Sequence, residues 1–239
     1  DPTMNITGTC FIATPNVTFT KGATTFNADS VTWESSTRLS CAVNLAGKET
    51  GDYSVTVINP DSLSSAPFSK FTIENPAPTI ISFAPSTGEN TGLSDIILIH
   101  GTNFISGAGV NLTRVSHPTI PGDISGINAT DISCRFDLAG SDAGAWTLEV
   151  TNPDGKNVQA VMPFTITNPP PEPTSIVPSI GENSDITAGA IIYGSGFLDD
   201  ASVKLIKGTD TIQGTIVPPY TNVTTQTIPC VFNLNGAQI

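Results

Sequence analysis

The chain repeats itself at an offset of 93 residues. Ile6-Thr7-Gly8-Thr9-Cys10-Phe11 aligns with Ile99-His100-Gly101-Thr102-Asn103-Phe104, and Gly194-Ser195-Gly196-Phe197 follows at the same distance from Gly101. Asn59-Pro60-Asp61 maps onto Asn152-Pro153-Asp154, and Phe71-Thr72-Ile73 onto Phe164-Thr165-Ile166. The third copy drifts slightly: Cys41 and Cys134 are 93 apart, Cys134 and Cys230 96 apart. Solenoid units run at ~20–50 residues, so a period this long marks whole domains. The expected division is 1–76, 77–169 and 170–239, with only the middle copy complete.

Within each copy the apolar residues alternate, which shows one face of a strand to a core and the other to water. Val17 and Phe19 match Val110 and Leu112, then Val203 and Leu205. Leu39, Cys41, Val43 and Leu45 match Ile132, Cys134, Phe136 and Leu138, then Ile228, Cys230, Phe232 and Leu234. Tyr53, Val55 and Val57 match Trp146, Leu148 and Val150. These are the expected core strands. The stretch around Trp33 reads as a polar excursion between strands. Asn-Pro-Asp sequences carry turn chemistry, Pro fixing φ while Asp tolerates tight geometry. The Pro-rich joints at 75–78 and 168–173 predict stiff connections, and so a semi-rigid rod.

The combination of a Pro-Thr-Ile strand (78–80), Pro-Ser-x-Gly (85–88), a strand ending in Gly-Thr-Asn-Phe (101–104), a Val-x-Leu strand (110–112) and a closing Asn-Pro-Asp-Gly (152–155) resembles the IPT/TIG family. The resemblance implies an all-β chain of tandem immunoglobulin-like antiparallel β-sandwiches. It is seen here as closest to repeats of prokaryotic, above all archaeal, cell-surface proteins. Related domains accompany secreted carbohydrate-active enzymes, plexin-type receptors and some transcription factors, so the fold alone does not name a function.

Charge removes one of those options. The net charge is −12 with 13% charged residues and no Lys/Arg cluster. A phosphate backbone would be repelled, which argues against nucleic acid as a partner. No stretch approaches the ~20 apolar residues of a membrane-spanning helix. The repeats open one strand late and close two strands early. Either the sequence is a window on a longer array, or neighbouring molecules complete the end domains by strand addition.

Five Asn-x-Ser/Thr sequons occur, at Asn5, Asn16, Asn111, Asn128 and Asn222. By strand parity Asn5, Asn16 and Asn111 face outward, where an N-linked glycan could sit without emptying the core; the same residues also read as the ordinary wet face of a strand. The repeated cysteines read as small buried hydrophobes. Cys10 has no equivalent cysteine, and Cys10 with Cys41 is the one disulfide available inside a copy. No CxxC or Cys/His spacing suggests a metal, and nothing suggests a cofactor. His100 and His117 lie near no nucleophile-and-acid set, which argues against a triad. Asp95, Asp199-Asp200, and Glu89 with its equivalent Glu182, are the carboxylates to weigh for glycoside hydrolysis, and Asp154, Asp199 and Asp200 for calcium. Trp33 is the aromatic to weigh as a sugar contact.

These readings lead to a non-enzymatic, extracellular structural or adhesive protein. Its partners would be copies of itself or neighbouring surface proteins, N-linked glycans and carbohydrate, in a filament, sheath or layer. Accessory spacer domains of a larger secreted enzyme are the alternative.

Overall fold

The computed structural model describes residues 3–216 and 223–237. Every regular element among them is a β-strand. The chain divides into two compact units, Asp1–Ala77 and Pro78–Ile239. Three separate hydrophobic cores lie within them, one in the first unit and two in the second.

The first unit has seven strands: β1 (Thr3–Thr7), β2 (Asn16–Lys21), β3 (Thr24–Asn27), β4 (Ser30–Ser35), β5 (Arg38–Ala42), β6 (Gly51–Ile58) and β7 (Phe68–Ile73). They form two antiparallel sheets, β1-β5-β4 and β3-β2-β6-β7. The core draws on both: Ile6, Leu39 and Cys41 from the first, and Val17, Phe19, Tyr53, Val55, Val57 and Ile73 from the second. This is a sandwich. The stretch around Trp33 is not an excursion but β3 and β4. Its many Thr and Ser residues fit the wet face of a strand, while Phe26 and Val31 pack against the core.

The next core is built on β8 (Thr79–Ala84), β9 (Thr87–Glu89), β10 (Ile97–Thr102), β11 (Gly109–Thr113), β12 (Ile120–Ile127), β13 (Asp131–Phe136), β14 (Gly144–Thr151), β15 (Asn157–Gln159) and β16 (Phe164–Thr167). Hydrogen bonds run through β8-β10-β13-β12-β11-β14-β16-β9, with β15 beside β14. The path turns at β12, whose first residues pair with β11 and whose remainder pairs with β13. Short β9 lies parallel to β16 and closes the far edge. Sixteen buried residues fill the interior, from Ile97 and Ile99 through Trp146 to Phe164 and Ile166.

The last core comes from one sheet, β17-β18-β21-β20-β19, with β17 (Glu172–Val177), β18 (Ala188–Ser195), β19 (Val203–Lys207), β20 (Asp210–Thr215) and β21 (Thr227–Phe232). Among the described residues its buried apolar cluster is Ile192, Phe197, Ile228, Cys230 and Phe232. Val203 and Leu205 are half-buried, although their equivalents Val17, Phe19, Val110 and Leu112 are sealed. The difference is one of neighbours. Strand β11 lies between β12 and β14, whereas β19 has only β20 beside it among the described residues. A cleft of about 540 Å³ opens there, lined by Ile176, Ile192, Phe197, Val203 and Leu205 among others.

Candidate functional site

The Gly-Thr-Asn-Phe motif makes a corner in each core. After the strand, the chain enters the left-handed region at Cys10 (φ 60°), Asn103 (φ 60°) and Gly196 (φ 71°). Asn and Gly tolerate that region; Cys is a strained substitute. The phenylalanine immediately after the corner residue folds back on the glycine three positions before it. A Cβ on Gly8 would meet Phe11 Cζ at 2.6 Å, one on Gly101 would meet Phe104 Cζ at 2.5 Å, and one on Gly194 would meet Phe197 Cζ at 2.6 Å. At Gly101 and Gly194 backbone also crowds in, with Thr79 O at 1.9 Å and Glu172 O at 2.2 Å from the same point.

The Asn of Asn-Pro-Asp clamps this corner from across the domain. Asn152 Nδ2 donates to Asn103 O at 2.8 Å, and Ile105 N donates to Asn152 Oδ1 at 3.2 Å. Asn59 repeats the arrangement, donating to Cys10 O at 2.9 Å and accepting from Ile12 N at 3.1 Å. Sequence reasoning assigned these asparagines to turns and missed the clamp. Its one signal was that both halves recur at the same offset.

The candidate chemistry-bearing residues are mostly absorbed by packing. Cys41, Cys134 and Cys230 are buried at one core position in all three copies. Burial pushes the Cys134 thiol up to about 12, and raises those of Cys41 and Cys230 as well. A thiolate is the reactive form, so these groups are inert. Cys10 is exposed at the corner, and all four cysteines are free; no bond joins Cys10 to Cys41. Trp33 is opposite Leu39 on β4, the position that Ile127 takes opposite Ile132 on β12. It caps the rim of the core with its indole N–H donated to Phe11 O at 3.1 Å, leaving 41% of it exposed.

Tyr53 and Trp146 are interior and tied by their polar ends to Glu49 O and Asp142 O. His117 packs edge-on against Trp146 with ring centres 5.5 Å apart, its Nε2 2.9 Å from Asp142 Oδ2. Asp199 and Asp200 form a turn after β18, and Glu89 lies on β9 while Glu182 belongs to the loop before β18. Among the described residues no three His, Cys, Asp or Glu side chains gather as metal ligands would. No helix among them is long and apolar enough to cross a membrane.

A polar cluster lies at the tip joining β12 to β13. His100 Nδ1 lies 2.6 Å from Asp131 Oδ1, and Thr130 Oγ1 lies 2.7 Å from Asp131 Oδ2. The Thr130 hydroxyl, then His100, then Asn128 hold the Asp131 carboxyl below the usual carboxylate range. Asn128 Oδ1 accepts the backbone N–H groups of Thr130 and Asp131, both at 2.8 Å. Asn128 is thus a sequon residue on an exposed turn. Asn5 is exposed on β1 and Asn16 on β2, with Asn16 Nδ2 3.4 Å from Asn27 Oδ1. Asn111 is half-buried on β11. Asn222 lies outside the described residues.

No family model matches the chain, and no curated protein matches it. Several solved structures are similar to it in part. A Bacteroides thetaiotaomicron structural-genomics protein of unknown function is 18% identical, with a TM-score of 0.33 over 61% of this chain and 39% of its own. SGBP-B of the Bacteroides ovatus mixed-linkage glucan utilization locus, in complex with a mixed-linkage heptasaccharide, is 15% identical, with a TM-score of 0.27 over 70% of this chain and 42% of its own. A three-immunoglobulin-domain structure from titin is 12% identical, with a TM-score of 0.38 over 95% and 81%. The chain therefore spans about two fifths of the first two proteins.

Proposed function

We propose that this is a non-enzymatic structural or adhesive protein of the cell exterior, made of tandem immunoglobulin-like domains of the IPT/TIG kind. Stiffly joined sandwiches would hold a fixed spacing, carry glycans on their outward faces, and associate with copies of themselves or neighbouring surface proteins in a filament, sheath or layer. The observation that carries this reading is the repeated expenditure of chemistry-bearing side chains on packing. The cysteines occupy one core position three times over, and Tyr53 and Trp146 occupy another twice. The Pro-rich joints support the spacing role, since such segments are extended and resist bending. Exposed Leu98 on β10, together with Ile81, Val161 and Met162, offers apolar area for lateral contact.

Self-association is tested by sizing the recombinant protein across a wide concentration range, by light scattering coupled to gel filtration. Larger species growing with concentration are expected. A monodisperse monomer at every concentration would overturn the assembly role. An intact mass of the protein from its native source tests the glycans separately.

A further inference from the structure

The geometry points to Asn128 as the preferred sugar-acceptor site of the folded protein, which rests on the reading of this chain as a glycoprotein. The sequon Asn128-Ala129-Thr130 forms the tip between β12 and β13, and all three residues are exposed. The turn is closed by Asn128 N donating to Asp131 O at 2.9 Å. It is anchored from below by Gly101 N donating to Thr130 O and Phe104 N to Ala129 O. The backbone of the sequon is therefore held in a bent, outward-facing loop.

The three copies show what the turn itself requires at this position. Ser35 stands at the equivalent tip of the first copy, its Oγ accepting from Thr37 N at 3.2 Å. Thr224 stands at the tip of the third, its Oγ1 accepting from Gln226 N at 3.2 Å and Thr227 N at 2.9 Å. An oxygen acceptor is all that the turn requires. Asn128 meets that need with Oδ1, and its side-chain amide also helps to stabilise the Asp131 carboxylate. The side chain thus serves the turn as Ser35 and Thr224 do, while the residue stands exposed at the tip.

The other described sequons differ in kind. Asn5 is paired through β1 with Ser40, and Asn111 lies in the middle of its sheet between Pro121 and Glu149. Asn16 is paired through β2 with Ile58. A transferase that must bend the acceptor segment and read both Asn and Thr would first have to lift these strands from their ladders, a local opening that costs free energy. At Asn128 no strand ladder has to open, and only the turn's own hydrogen bonds give way. The reaction is a substitution with a polyprenyl-diphosphate-linked oligosaccharide as donor. Asn128 Nδ2 forms a bond to the anomeric carbon, the carbon–oxygen bond to the diphosphate breaks, the diphosphate leaves with the electron pair, and Nδ2 gives up one proton.

The test is a time course with a purified single-subunit oligosaccharyltransferase and its lipid-linked donor. The substrates are the folded protein and the same protein held unfolded in mild denaturant, and each site is read by peptide mass mapping. In the folded protein Asn128 should be modified at least about tenfold faster than Asn5, Asn16 or Asn111, and the ratio should collapse in the unfolded chain. Asn128→Ser restores the oxygen of the first copy, so it should keep the melting temperature and lose the fast label. Thr130→Ser should retain the label. No modification of Asn128 in the folded protein, or equal rates at the strand sequons, overturns the assignment. A native protein that carries no sugar, alongside fast labelling of Asn128 in vitro, would instead overturn the glycoprotein reading.

Discussion

Replacing Asn152 by Ala removes both arms of the corner clamp. Asn152 is 2% exposed, and the change would leave the Asn103 carbonyl and the Ile105 N–H facing a gap where the amide had been. A buried group that loses its partner costs about 1–3 kcal/mol. Two such groups, partly relieved by water entering at the corner, give an expected loss of about 2–4 kcal/mol. Asn59 makes the same two bonds, but it is only half-buried, so water can replace the amide more easily. Asn59→Ala should cost about 1 kcal/mol.

In a domain of this size 1 kcal/mol moves the midpoint by roughly 4–8 °C. The Asn152 variant should therefore melt at least ~10 °C lower in its own transition, and the Asn59 variant by roughly half that or less. Tryptophan fluorescence separates the two, because Trp33 lies on β4 of the first unit and Trp146 is buried in the second core. Trp33→Phe and Trp146→Phe backgrounds assign each transition, and urea titration gives the free energies. Equal losses at the two positions, or a loss below about 0.5 kcal/mol at Asn152, would refute the clamp as a source of stability.

Gly101→Ala and Gly8→Ala should separate in the same way. The first drives a methyl group into Thr79 O, which is backbone, and should cost about 3 kcal/mol, whereas the second meets only the Phe11 ring and should cost about 1 kcal/mol; comparable urea midpoints would count against this account. Native-state labelling with a thiol reagent should modify Cys10 alone, with Cys41, Cys134 and Cys230 reacting only on unfolding, and fast reaction of a second thiol would contradict their burial. Asp131 and Asp52 have depressed carboxyl pKa values, Asp131 chiefly through the Thr130 hydroxyl and Asp52 chiefly through that of Thr72. Their contribution is thus present above the ordinary carboxylate value of about 4 and lost as pH falls through the lower folded value. The double variant Asp52→Asn/Asp131→Asn should flatten the acid limb of stability against pH, and an unchanged acid limb would rule the pair out as its cause.

The alternation of apolar residues and its recurrence at 93 were enough to place Val17, Val110, Leu39, Ile132, Tyr53 and Trp146 in cores, because strand parity is a local property that each residue carries with it. The same logic located the three core cysteines. It could not see that Val203 would be only half-covered. That depends on which strands lie beside β19, and a strand's own pattern does not contain its neighbours.

Nor could it show that Asn152 reaches back to Asn103, 49 residues earlier, or that Trp33 caps a rim. The five sequons were equal as motifs. Only the folded chain distinguishes them, because pairing ties Asn5, Asn16 and Asn111 into ladders while Asn128 stands exposed on a turn. What a residue is made of was legible from one dimension; what stands opposite it was decided in three.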